Sequence, residues 1–287
     1  MRIDLHTHST ASDGTDTPAE LVAAAAAAGI DVLAITDHDT TAGWDEAVAA
    51  RPQNMTVVCG TEFSCVHYDA EGRRISLHLL GYLYDRDDEQ LRSERARLRE
   101  SRLRRGRQMV ENMSAGGIPI TWAQVQRLAG AGPIGRPHIG RALVDAGVVP
   151  DVDTAFRDLL SSRRPYYVRK ADTEVFAAIR MVRAAGGLPV FAHPLARRRG
   201  PVVSAETIAE MARAGLVGLE VDHPDQDATD RAEAAALARD LGLVGTGSSD
   251  YHGTNKVTPL AACTTPDEAY LALLDRPHHL EPAGAGC

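Results

Sequence analysis

His6 and His8 stand two residues apart in the opening stretch Asp4-Leu5-His6-Thr7-His8. On a strand alternate side chains share a face, so both imidazoles point one way while Leu5 and Thr7 point the other. Two imidazoles on one face can grip a metal ion. An isolated H-x-H pair is more often accidental surface histidine, because short motifs recur by chance. The company this pair keeps sets it apart: Asp13, Asp37-His38-Asp39, Glu62, His78, His193, His223 and Asp250-Tyr251-His252 all lie in or just past short apolar runs. Mixed nitrogen and oxygen donors suit manganese, iron(II) or zinc rather than calcium or magnesium, and no thiolate selects zinc outright. Glu62, with two carboxylate oxygens, can bridge neighbouring ions. Asp37 and Asp39 flank His38 and are expected to orient imidazoles.

These residues need elements to hold them. Strands are expected at Arg2–His6, Val32–Thr36, Thr56–Cys59, Ile75–Leu80, Leu188–Ala192, Val217–Val221 and Leu243–Gly247, seven in all, mostly separated by helical segments. The first helix opens at Thr17-Pro18-Ala19-Glu20, with Thr17 as N-cap and Pro18 in the first turn, and closes at Gly29. Such alternation argues for an α/β fold with a parallel sheet. Ligands at the ends of many strands favour a closed barrel over an open sheet, which gathers its site at one switch point.

Between the fourth and fifth strands lie about a hundred residues, far more than an ordinary connection. They read as an inserted cap of short helices, residues 86–185, over a barrel of residues 1–85 and 186–287. The first cap helix, Asp88–Ser114, carries eight arginines between Arg92 and Arg107. Most should be solvated and paired with Glu89, Glu94 or Glu100, with a minority facing the cleft to hold phosphate.

Length and composition, 287 residues with 44% hydrophobic and 24% charged, fit a folded globular chain and exclude a disordered one. A net charge of −8 argues against a surface built to coat duplex nucleic acid. Cys59, Cys65, Cys263 and Cys287 form no C-x-x-C pair, which suits a reducing compartment. No signal-like or membrane-spanning run is visible, so a cytoplasmic location is expected, with no membrane or protein partner.

His6-Thr7-His8-Ser9, Asp13-Gly14, Thr36-Asp37-His38-Asp39, Gly60-Thr61-Glu62, Ala192-His193-Pro194 and Ser249-Asp250-Tyr251-His252 together resemble the ordered motifs of the PHP (polymerase and histidinol phosphatase) superfamily. The resemblance spans nearly the whole chain. It implies a distorted seven-stranded (β/α)7 barrel with an inserted small helical domain, and a phosphoesterase site of two or three divalent ions, manganese first, iron(II) or zinc otherwise. It further implies one ion on His6, His8, Glu62 and Asp250, a second on Glu62, His78 and His193, and a third on Asp13, His38 and His252. Asp13 stands where histidinol phosphatase relatives often carry histidine, so the third ion is expected to be the least tightly held.

Gly135-Arg136-Pro137-His138-Ile139-Gly140-Arg141 and Glu220-Val221-Asp222-His223-Pro224 resemble the branch that removes the 3′-phosphate of nucleoside 3′,5′-bisphosphates, some of whose members degrade short RNA from its 5′ end. Arg136, His138 and His223 would then contact a nucleotide or short single-stranded RNA. Metal ions lower the pKa of a bound water from about 15.7 toward 7, so hydroxide attack on phosphorus at neutral pH needs no Ser or Cys nucleophile. His193, His223 or a bound water would protonate the leaving oxygen. The competing readings are a histidinol-phosphatase-like phosphomonoesterase, an amidohydrolase acting on C–N bonds, and an inactive binding module. Glu62 where an amidohydrolase places a bridging lysine weakens the second; the complete ligand set weakens the third.

Overall fold

The computed structural model describes residues 1–130, 134–161 and 164–284; Cys287 lies outside the described residues. The chain opens with β1 (Ile3–Asp4), α1 (Pro18–Ala27), β2 (Val32–Ile35), α2 (Trp44–Ala50), β3 (Thr56–Tyr68) and β4 (Arg74–Tyr82). Cap helices α3 (Glu89–Ala115), α4 (Trp122–Ala129), α5 (Arg136–Asp145) and α6 (Val152–Ala155) follow, the last running into a π-helical turn at Phe156–Leu160. The chain then returns through β5 (Thr173–Glu174), α7 (Val175–Ala184), β6 (Leu188–Ala192), α8 (Ala205–Arg213), β7 (Gly218–Asp222), α9 (Ala228–Leu241), β8 (Val244–Gly247) and α10 (Asp267–Leu274). Thr17 caps α1 as expected: its side chain accepts from the Glu20 amide, and the Glu20 carboxylate accepts from the Thr17 amide in return.

Seven strands run in the order β1-β2-β3-β4-β6-β7-β8, with β5 pairing the outer part of β3. The sheet curls until its ends meet at an isolated bridge between Thr7 and Tyr251, where the His8 amide donates to the Tyr251 carbonyl at 2.9 Å. The result is a nearly closed α/β barrel. Strand residues alternate between two cores: Leu33, Ile35, Val57, Leu79 and Leu219 pack against helices that include α1, α7 and α8, while Ile3, Leu5, Val32, Ala34 and Val190 form a separate cluster.

The expected all-parallel sheet needs correction, because β4 is antiparallel to both β3 and β6. β3 does not stop near Cys59 but continues through Glu62 to Tyr68, and a short turn at Asp69–Arg73 sends the chain straight back as β4. A tight turn can join only antiparallel neighbours. Gly60, which reads as punctuation in the sequence, lies mid-strand because a Cβ there would come 2.8 Å from the Tyr82 ring.

A third core belongs to the inserted segment, where Met109, Val110, Met113, Ile120, Val125, Ile139, Leu143 and Leu160 pack together. α3 joins it to the barrel, with Leu91 and Leu98 in the barrel core and Met109 and Met113 in the cap core. Its arginines divide by face. Arg97, Arg104 and Arg107 pair with Glu94, Glu100 and Glu111 on the outside, whereas Arg95, Arg102 and Arg105 are buried. α7, although inside the inserted stretch by number, contributes Val175, Ala178, Ile179 and Val182 to the barrel core.

Candidate metal centre

The extended run past β1 carries His6 and His8, held against β2: the Thr36 amide donates to the Thr7 carbonyl at 3.0 Å, and the Thr7 hydroxyl donates to the Ala34 carbonyl at 2.7 Å. Both imidazoles are fully buried, with their Nε2 atoms 3.1 Å apart. Glu62 projects from the middle of β3 between several imidazoles. Its Oε2 lies 3.3, 3.1 and 3.1 Å from His6 Nε2, His8 Nε2 and His38 Nδ1, and its Oε1 lies 2.7 and 3.2 Å from His78 Nδ1 and His193 Nε2. The two oxygens thus serve different imidazole sets, as a bridging carboxylate requires.

Groups whose donor atoms all lie within 4.8 Å of one another are His6, His8, Glu62 and Asp250; His38, Glu62 and His78; and His8, Asp13, His38 and His252. The first has the expected members, the second has His38 where His193 was expected, and the third adds His8 to Asp13, His38 and His252; His193 joins none of these groups, though its Nε2 lies 3.2 Å from Glu62 Oε1. His6, Glu220 and His223 are also mutually close. Glu220, however, already accepts from the His193 amide at 2.7 Å and from the Ser248 hydroxyl, so it reads as a hydrogen-bonding partner of His6.

Hydrogen bonds fix which nitrogens face inward. Glu220 Oε1 lies 3.0 Å from His6 Nδ1 and the Asp250 carbonyl 2.8 Å from His252 Nδ1; both oxygens only accept, so Nδ1 carries a proton in each ring and Nε2 is the nitrogen left to bind an ion. Among the described residues the buried Nδ1 atoms of His38 and His78 have no hydrogen-bond partner, despite their short approach to Glu62. Lone pairs converging in directions that hydrogen bonds do not use fit a set of divalent cations. Without such ions, protons must fill the role. Burial opposes charge on His8, but hydrogen bonds to Asp250 and Glu62 prevail and raise its pKa to about 9. At His38 burial prevails over Glu62 and Asp13 and lowers the pKa to about 3, and burial with Arg199 does the same to His193.

His193, Asp250 and Asp39 all adopt positive φ, at 34°, 52° and 55°. Such strain persists only where the surroundings over-determine it, and it clusters at functional sites. Asp37 and Asp39 touch no imidazole. Asp37 accepts from Ser9 N at 2.8 Å and from the Ser9 and Ser12 hydroxyls at 2.7 and 2.6 Å, pinning the loop that carries His8 and Asp13. Asp39 accepts from Ser64 and from Arg102 Nη2 at 2.7 Å, tying α3 to the barrel. The partners that orient imidazoles are therefore Glu220, Ser12, 3.4 Å from His8 Nδ1, and the Asp250 carbonyl. At His223, Nδ1 accepts from the Asp225 amide at 3.0 Å, so Nε2 carries the proton and faces Asp250 Oδ2 at 3.3 Å.

The cap overhangs this cluster: a Cβ on Gly135, at the start of α5, would lie 3.6 Å from Asp13 Oδ2. Arg136 donates to the Leu160 carbonyl at 3.2 Å and stacks over Phe156 and Tyr167, with no carboxylate partner among the described residues. His138 Nδ1 accepts from the Gly135 amide at 3.0 Å. Arg105, 5% exposed, has a buried Nε without a partner among the described residues, and burial together with Arg136 and Arg102 pushes its pKa well down. Buried guanidinium groups short of counter-charge suit an anion.

An α/β barrel that gathers imidazoles and carboxylates at one mouth, beneath a basic cap, is the architecture of a metal-dependent phosphoesterase. The PHP domain matches residues 4–113. A 5′-3′ exoribonuclease of Haemophilus influenzae is 33% identical over 252 residues, covering 88% of this chain and 90% of that one. A 3′,5′-nucleoside bisphosphate phosphatase of Chromobacterium violaceum is 34% identical over 257 residues, covering 87% of each. A crystal structure from Bifidobacterium adolescentis, provisionally described as a metal-dependent phosphoesterase, superposes with a TM-score of 0.89 at 38% identity, covering 96% of both chains. The chain belongs to the PHP family of phosphoesterases.

Proposed function

We propose that this enzyme removes the 3′-phosphate from nucleoside 3′,5′-bisphosphates and cuts short 5′-phosphorylated RNA from its 5′ end. The observation that carries the reading is that the cap meets the imidazole–carboxylate cluster at Gly135 and Asp13, which brings a candidate ion site near two guanidinium groups, Arg136 and Arg105, that lack a carboxylate partner among the described residues. A substrate with two phosphates meets both at once. The relatives named above, one a bisphosphate phosphatase and the other a 5′-3′ exoribonuclease, support it.

In this reading His6, His8, Asp13, His38, Glu62, His78, His193, Asp250 and His252 hold two or three ions, with manganese preferred over iron(II) or zinc. Divalent ions bound there would acidify an attacking water and neutralise charge on the phosphoryl oxygens. Glu62 sets the spacing of the sites through its two oxygens. A water acidified at the centre is proposed to protonate the leaving 3′-oxygen; His223, whose Nε2 proton is directed at Asp250, and His193 are the alternative donors and would act only as imidazolium. Arg136 and His138 hold the phosphate that is not cleaved. The cap is taken as residues 86–185, with α7 at the join packing on the barrel. Among the described residues no helix is long and apolar enough to cross a membrane, and a cytoplasmic location is proposed.

The test is phosphate release from a panel of nucleoside 3′,5′-bisphosphates, histidinol phosphate, other phosphomonoesters and short 5′-phosphorylated RNAs, with amide substrates alongside. Preference for bisphosphate supports the proposal. Preference for histidinol phosphate, or turnover only of C–N bonds, replaces it.

A further inference from the structure

Asp250 differs from the other buried carboxylates around the centre in what holds it. Asp4, Asp37 and Glu220 are fixed by serine hydroxyls and backbone amides. Asp39 meets a cation, but Arg102, like Asp39, is buried. Asp250 Oδ2 instead receives Arg199 Nη2 at 2.7 Å, Lys256 Nζ at 2.6 Å and His223 Nε2 at 3.3 Å. Its other oxygen, Oδ1, looks the opposite way, 3.3 Å from His8 Nε2 and 3.6 Å from His6 Nε2.

Three donors on one oxygen exceed its two lone pairs. The side chains of Arg199 and Lys256 are each 33% exposed and come from different loops, one after β6 and one after β8. Arg199 spends Nε on Asp225 and Nη2 on Asp250, which locks the plane of its guanidinium while leaving Nη1 unassigned among the described residues. A cation drawn to Oδ1 would also pull charge from Oδ2 and loosen both contacts. What remains is a pair of cations at the open rim, one carboxylate's width from the imidazole cluster, set to receive a different anion.

We propose that Arg199 and Lys256 clamp the phosphoryl group that is cleaved, contacting its non-bridging oxygens directly. This rests on the phosphoesterase reading but not on the identity of the nucleotide. The clamp is distinct from Arg136, which faces the remote phosphate. Its place is where negative charge must be held during transfer, and fixed donors there act at no reorganisation cost.

Arg199→Gln, Lys256→Met and the double variant, each loaded with manganese, test it through orthophosphate binding by calorimetry, metal content by elemental analysis, and kcat/KM on both a nucleoside bisphosphate and nitrophenyl phosphate. Orthophosphate binding should weaken roughly ten- to a hundredfold per variant, in proportion to one lost charge-assisted contact, with metal content unchanged. kcat/KM should fall on both substrates alike, and Arg199→Lys should recover part of the loss. Loss of metal in step with the loss of binding would show that the cations only position Asp250, and would overturn the proposal; so would unchanged orthophosphate binding. A wild type that binds orthophosphate through these residues yet ignores bisphosphates would instead overturn the nucleotide assignment and leave the clamp standing.

Discussion

Which nitrogen of His6 faces the cluster is decided by Glu220, a carboxylate that accepts from His6 Nδ1, the His193 amide and the Ser248 hydroxyl. In Glu220→Gln the amide has one oxygen for three donors and adds donors of its own, so at least one group is stranded. Metal affinity should fall about 10–100-fold, as measured by competition with a chelator. Protonation gives a second expectation. His8, raised to about 9, binds a proton at neutral pH in the metal-free protein. Its folded pKa exceeds the ordinary value of 6.5, so the stability it lends is full below about 6.5 and is lost as pH rises through about 9. Metal must displace that proton, so affinity should climb across the same window, with proton release seen as a buffer-dependent heat of binding. His38 and His193, lowered to about 3, stay neutral and do not compete above that pH. The candidate metal donors were legible from residue type and position. Glu220 was not, because in Glu220-Val221-Asp222-His223 nothing in the sequence tells which acidic group turns inward. Arg199, hidden in a run of three arginines, and Lys256 in a loop were equally silent.

The elements carry specificity and linkage. Arg136 opens α5 and should matter only to a substrate with a second phosphate: Arg136→Ala should cost roughly 1.5–3 kcal/mol in kcat/KM on a nucleoside bisphosphate while sparing nitrophenyl phosphate. Equal losses on both, tracked against melting temperature, would mean that Arg136 serves folding through Leu160, Phe156 and Tyr167 instead. Arg102 fastens α3 to Asp39, and both are buried. Arg102→Ala strands that carboxylate and should lower stability by about 3–5 kcal/mol in a denaturant titration, whereas pairing it with Asp39→Asn should restore part of the loss. The arginine-rich helix was plain in the sequence. Its division by face had a signal that only the structure makes plain: Arg97, Arg104 and Arg107 each have a glutamate three or four residues away, whereas Arg95, Arg102 and Arg105 have none and turn inward. The hairpin of β3 and β4 escaped for a different reason: Gly60 looks like a stop, and only the Tyr82 ring across the strand explains it.

At the scale of the molecule, the barrel was readable because strands alternating with helices leave few topologies and most of the candidate ligands, though not Glu62 and His78, lie at strand ends. The cap's placement over Asp13 depends on long-range packing that no local pattern records. Glu62 sits neither in a loop nor at a strand tip but in the interior of β3, its amide donating to the Thr36 carbonyl at 3.0 Å and its carbonyl accepting from Asp39 at 3.1 Å. It also pairs across to Leu80. The carboxylate common to two of the candidate ion sites is thus part of the sheet's own hydrogen-bonded lattice. In native-state hydrogen exchange its amide should open only with the whole barrel, alongside the slowest core amides, while those of α4 and α5 exchange through smaller openings. The cap can then loosen to admit or release a nucleotide without disturbing the distances on which the chemistry below it depends.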